Sequence, residues 1–89
     1  MSQIASIMKN FDFEKVHKVM KLLEWKWYCP EYEGLCVPDL DTIKSQARKL
    51  LQDVLNRQCS SISTGGFRAE RFDDNSLRLS FVVADWDSD

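Results

Sequence analysis

The longest regular pattern in the chain lies between residues 37 and 58. Leu40, Ile43, Ala47, Leu50, Leu51, Val54 and Leu55 recur at three- and four-residue intervals, the spacing that places side chains on one face of a helix. At roughly 100° per residue they fill a stripe about 140° wide, the width of a core-facing helix. After Pro38 no Gly or Pro interrupts the run. Asp39 stands where an N-cap carboxylate accepts from the unpaired amides of the first turn, and Asp41 adds negative charge at the end the helix dipole favours. Lys44, Arg48 and Arg57 border the stripe, where their stems cover apolar surface and their charges stay in water. The pattern predicts a helix over 39–58 with its stripe inside, because so short a chain needs its best apolar face for a core.

A second helix is predicted over 12–23. Asp12 is its N-cap, and Phe11 and Val16 stand at the positions of a hydrophobic staple. Phe13, Val16, Val19, Met20 and Leu23 form its buried stripe. Lys15, Lys18 and Lys21 occupy the opposite arc. A solvated face is the simpler reading of those lysines; a cationic patch for an acidic partner or a phosphate backbone is the sharper one. Leu22 sits among them as a candidate exposed apolar contact. Residues 1–10 carry Ile4, Ile7 and Met8 at helical spacing over a short span, which leaves a short helix, an added strand and a frayed end all open.

Alternation with a period of two marks the strands. Over 24–29, Trp25, Trp27 and Cys29 point one way and Lys26 and Tyr28 the other. The tryptophans read as core rather than as a stacking platform for bases. Residues 30–38, bracketed by Pro30 and Pro38, carry Glu31, Tyr32 and Glu33, an acidic aromatic loop that is either a protein-contact surface or a solvated connection. A strand is predicted over 60–72 with a bulge at Gly65-Gly66. A phosphate cradle of Ser63, Thr64 and the glycine amides is disfavoured, because no Lys follows at the required spacing. Asp73, Asp74, Asn75 and Ser76 make a turn by composition. A last strand over 77–86 directs Leu77, Leu79, Phe81 and Val83 inward and Arg78, Ser80, Val82 and Ala84 outward. Asp85, Asp87 and Asp89 around Trp86 form an acidic tail, a solvated end or a docking segment. The expected fold is a single α+β domain, with two amphipathic helices on one face of a three-stranded antiparallel sheet in the order α-β-α-β-β.

Composition narrows the function. Eighty-nine residues with 44% hydrophobic and 29% charged side chains are an ordinary globular balance. A net charge of -2 argues against a dominant basic field for nucleic acid. The sequence lacks an apolar run of membrane-spanning length and a basic-then-apolar leader. Its three cysteines, Cys29, Cys36 and Cys59, are expected to be reduced thiols, which predicts a cytoplasmic setting. With His17 they fit no zinc spacing, and one histidine without a linked nucleophile makes no catalytic set. The carboxylate pairs Glu31/Glu33 and Asp73/Asp74 lie in loops. No catalytic residue, metal ligand or cofactor is therefore assigned, and a non-enzymatic protein is expected. Cations on the second long helix (Lys44, Arg48, Lys49) and in the hairpin (Arg68, Arg71, Arg78) keep nucleic acid as an alternative. Arg68, Arg78, Lys26 and Tyr28 on one exposed sheet face would make a modest RNA-binding surface, weakened by Glu70 and Asp85.

Four segments, FDFEKVHKVMKLLEWKW (11–27), VPDLDTIKSQARKLL (37–51), STGGF (63–67) and LRLSFVVADW (77–86), together resemble a group of small, mostly uncharacterised proteins encoded by bacteriophages and prophages. The resemblance covers most of the chain and brings no catalytic residues. It implies an accessory protein that binds a host protein complex, with inhibition of a CRISPR effector as the specific expectation. The candidate contact residues are Lys15, Lys18, Lys21, Glu31, Tyr32, Glu33, Arg68, Arg71, Asp73, Asp74, Asp85, Trp86 and Asp87. The alternatives are a small RNA-binding module and a phage structural or assembly component. A monomer or small homodimer without a membrane segment is expected.

Overall fold

The computed structural model describes residues 3–29, 34–64 and 66–82, with the backbone alone at Tyr28 and Cys29. Its elements are α1 (Gln3–Asn10), α2 (Phe13–Leu22), β1 (Trp27–Cys29), β2 (Gly34–Cys36), α3 (Leu40–Arg57), β3 (Ser61–Thr64), β4 (Phe67–Arg71) and β5 (Leu77–Phe81). The class is α+β, built on a three-stranded antiparallel sheet in the order β3-β4-β5.

The helix α3 is the centre of the layer beneath that sheet, packing against β3, β4, β5, α1 and α2. Its stripe of Ile43, Ala47, Leu50, Leu51 and Val54 is buried. The Asp39 carboxylate accepts from the Thr42 amide at 2.8 Å, which occupies one of the free N–H groups of the first turn. At the other end Gln58 takes a left-handed backbone with φ 54°, and the Arg71 guanidinium donates to its carbonyl at 3.1 Å. Of the first ten residues, Gln3–Asn10 resolve in favour of a helix. Ile4 of α1 is only 2% exposed and joins the core, so tertiary packing supplies what an eight-residue helix lacks alone. The remaining core comes from Phe13, Val16 and Met20 of α2 and from Phe67, Ala69, Leu77, Leu79 and Phe81 of the sheet. Each large side chain fully buried there contributes about 1.5–3 kcal/mol.

Three sequence expectations about the strands are corrected. First, Glu24 and Trp25 are not strand. Glu24 has φ 51°, its amide donates to the Lys21 carbonyl and the Trp25 amide to the Met20 carbonyl at 2.7 Å. This is a Schellman closure of α2, made without the usual glycine. Second, the strand that follows does not join the main sheet. β1 pairs with β2 in a separate hairpin, Trp27 opposite Cys36 and Tyr28 opposite Leu35, so the expected loop over 30–38 contains a strand. Third, the segment 60–72 is two strands rather than one bulged strand. Thr64 pairs with Phe67, leaving two residues to connect them, and Gly66 has φ 87°. Two-residue hairpin turns require that left-handed backbone, which glycine adopts at low cost. This division supplies the third strand of the sheet.

The strand β5 alternates as expected, with Leu77, Leu79 and Phe81 buried and Arg78 and Val82 exposed. Val83, Ala84 and the rest of the expected strand lie outside the described residues. The cysteines also depart from expectation. Cys59 is a free thiol, but Cys36 is disulfide-bonded, which removes the ground on which a reducing, cytoplasmic setting was expected. No helix among the described residues is long and apolar enough to cross a membrane.

Gly66 is held tightly. A Cβ at this position would stand 2.9 Å from Cε1 of Phe81 and 3.2 Å from Cζ2 of Trp25. Replacing Gly66 with Ala is expected to destabilise the protein by about 2–4 kcal/mol, combining the left-handed backbone with overpacking; urea unfolding followed by circular dichroism measures it. A second expectation concerns acid. The hydrogen bonds from Thr42 hold the Asp39 carboxyl below its ordinary pKa. A depressed folded-state pKa gives stability that is present above about pH 4 and is lost as pH falls through the folded value. The stability difference between wild type and Asp39→Asn should therefore be larger at pH 7 than at pH 3 in parallel urea titrations.

Candidate functional site

The α2 helix buries Phe13, Val16 and Met20 and turns its other arc to solvent. Lys15, Lys18 and Lys21 are all exposed there. Leu22 follows Lys18 by four residues and Lys15 by seven, so it shares their face. It is 81% exposed, the most exposed of the large hydrophobic side chains described. Asp12 fixes the start of this helix by accepting from the Lys15 amide at 2.9 Å. His17 is half-buried on the flank of the arc and contributes a weak electrostatic attraction to Asp39. The arc is therefore a cationic stripe with an apolar residue inside it, mounted on a helix anchored to the core.

The second surface is the face of the sheet turned away from α3. The register places Ser63, Arg68 and Ser80 in one row and Ser61, Glu70 and Arg78 in the next. Arg68 and Glu70 lie 3.7 Å apart as an ion pair. An antiparallel sheet with one solvated face carries polar residues in this way. A shallow groove of about 330 Å³ runs beside the turn end of this face, lined by Ser63, Thr64, Gly66, Phe67, Arg68 and Val82. Val82 is 59% exposed. A smaller cleft of about 240 Å³ lies between the start of α2 and β5, with Lys15 and Arg78 at its rim. Both are open depressions, suited to a contact surface rather than to enclosing a substrate.

The expected contact residues separate into three groups. Lys15, Lys18 and Lys21 form one arc, as the helical pattern predicts, and Arg68 lies on the open sheet face. Arg71 and Asp74 are engaged in structure: Arg71 holds the end of α3, and Asp74 accepts from the Ser76 amide and hydroxyl, bonds that lower its pKa. Asp73 is an exposed residue of that same turn. Glu31, Tyr32, Glu33, Asp85, Trp86 and Asp87 lie outside the described residues.

The RNA surface imagined from Arg68, Arg78, Lys26 and Tyr28 does not assemble as drawn. Arg68 and Arg78 share a face, with Glu70 between them, but Lys26 and Tyr28 belong to the segment of the separate hairpin. Trp25 and Trp27 pack on Phe81 and Phe67 at ring-centroid distances of 6.0 and 5.6 Å, which is a core role. Their Nε1 atoms are buried without a hydrogen-bond partner among the described residues. Exposed Leu35 and Phe72 are apolar positions that the sequence pattern did not single out, since Leu35 falls in a segment expected to be a loop and Phe72 directly follows the end of β4. Among the described residues no three His, Cys, Asp or Glu side chains converge as a metal site. No family model matches this chain, and neither the curated proteins nor the solved structures contain a match.

Proposed function

We propose that this chain is a small non-enzymatic binding protein whose α2 arc docks on an acidic surface of a partner protein. The observation that carries the reading is Leu22, almost fully exposed within the stripe of Lys15, Lys18 and Lys21. An isolated exposed leucine is ordinary; one surrounded by cations on a core-anchored helix offers an apolar anchor with a charged surround. The resemblance to phage-encoded proteins supplies the partner class, a host protein complex, and a CRISPR effector is the first to test. Inhibition by occupying such a surface needs no catalytic group.

Arg68 and Arg78 on the open sheet face support a second reading, a weak nucleic-acid contact, although Glu70 lies between them. One experiment treats both. Purified protein is titrated against effector complexes and, separately, against single- and double-stranded probes at low salt, where phosphate contacts are strongest. The protein-binding reading expects micromolar capture of an effector, loss of effector activity, and about tenfold weaker binding for Leu22→Ser or Lys18→Glu/Lys21→Glu. No capture at tens of micromolar, or capture indifferent to those substitutions, contradicts it. A low-salt gel shift abolished by Arg68→Ala/Arg78→Ala would transfer the function to nucleic acid.

A further inference from the structure

In the order β3-β4-β5 the edges are β3 and β5. A helix touches each of them, α3 at β3 and α1 at β5, and no strand among the described residues pairs with the outer side of β3. A two-residue turn makes Thr64 and Phe67 a hydrogen-bonded pair. Alternation then gives the same role to Ile62 opposite Ala69, and the Arg71 amide continues the ladder to the Ser60 carbonyl at 2.8 Å. The amide and carbonyl groups of Ser61 and Ser63 therefore point away from β4, toward solvent. Exposed edges are normally blunted by Lys, Pro, an inward charge or a bulge. The sequence SSIST over 60–64 has none of these.

We propose that β3 pairs antiparallel with β3 of a second copy of this chain, joining two three-stranded sheets into one of six strands. The register follows from parity. With Ile62 on the two-fold axis, Ser61 of one copy faces Ser63 of the other, and these are the residues whose hydrogen-bonding groups point outward. The pairing closes upon itself without shifting either chain, as an isologous interface requires. The side chains agree with it. On the core face Ile62 meets its own counterpart, extending the apolar row that Ala69 continues in each copy. On the solvated face the register β4-β3 carries Arg68 beside Ser63 and Glu70 beside Ser61. Each row across the axis then runs Arg68, Ser63, Ser61, Glu70, with opposite charges at its two ends. Like charges at both 61 and 63 would face one another across the axis and disfavour a second copy. Only Ser61, Ile62 and Ser63 of β3 pair across the axis, a small interface, so the dimer is a weak one.

Sedimentation equilibrium from about 10 μM to about 1 mM, a range that brackets weak association, tests the proposal on the whole chain. Wild type is expected to rise toward twice its 10.4 kDa. Ser63→Pro removes an amide that β4 does not use, and should stay monomeric with an unchanged circular dichroism spectrum. Ser61→Lys/Ser63→Lys places like charges opposite one another and should also stay monomeric. Ser61→Lys/Ser63→Glu faces Glu70 and Arg68 with opposite charge inside each chain and also places opposite charges across the axis, so it should dimerise at least as well as wild type. Wild type that remains monomeric throughout overturns the proposal, as does a dimer that persists in both Ser63→Pro and the double lysine variant. A Ser63 amide that is protected from hydrogen exchange only when a different protein is added would give the edge to another occupant, and would equally overturn self-pairing.

Discussion

Gly66 occupies a place that only a residue without a side chain can fill. Phe81 closes on it from the sheet and Trp25 from the end of α2, while its carbonyl accepts from the Val82 amide at 2.7 Å. The contact joins three parts of the chain at one point: the β3–β4 turn, the last strand and the exit from α2. From it a line of aromatic rings extends through the molecule. Phe81 lies 5.1 Å from Phe67, Phe67 lies 5.6 Å from Trp27 and 6.0 Å from Phe11, and Phe11 lies 4.8 Å from Phe13. Tilted pairs at such distances contribute about 0.5–1.5 kcal/mol each beyond the area they bury. The β1–β2 hairpin shares no strand pairing with the main sheet among the described residues, and through Trp27 this seam ties its β1 side to Phe67.

The seam has a cost. The indole N–H groups of Trp25 and Trp27 are shielded from water and unpaired among the described residues, at about 1–3 kcal/mol each. Full burial of a tryptophan gains roughly 4–6 kcal/mol, but both rings are only partly covered. The two effects are therefore of similar size at these positions. The strength of the seam rests more on Phe67 and Phe81, which are 1% and 6% exposed and carry no polar group. The tryptophans orient the hairpin against them.

How much of this was legible in the sequence depended on whether a local rule had a competitor. α3 was legible because seven apolar residues share one period and Asp39 marks the start. The lysine arc was legible for the same reason, since fixing the buried stripe of α2 fixes its opposite face. Glu24 was not, because a helix closure without glycine leaves no mark in composition, and the alternation of Trp25 and Trp27 suggested a strand beginning too early. Gly65-Gly66 was ambiguous for a physical reason. The core-facing phase passes from Ile62 and Thr64 to Phe67 and Ala69, a shift of one residue that a bulge and a two-residue turn both produce. The state of Cys36 was hidden by an odd cysteine count. Whether a strand is central or at an edge is set by pairing, so the open side of β3 has no local signature at all.

The fold depends on Gly66 lying beneath Trp25 and Phe81, and proton–proton distances test that directly. In a nuclear Overhauser spectrum of the labelled protein, the Hζ2 proton of Trp25 and the ring protons of Phe81 should both show strong cross-peaks to the Gly66 Hα protons. Those Hα resonances should also be displaced by the ring currents. Gly66 Hα protons at ordinary shifts, without a cross-peak to either ring, would contradict the packing on which the rest of the fold is built.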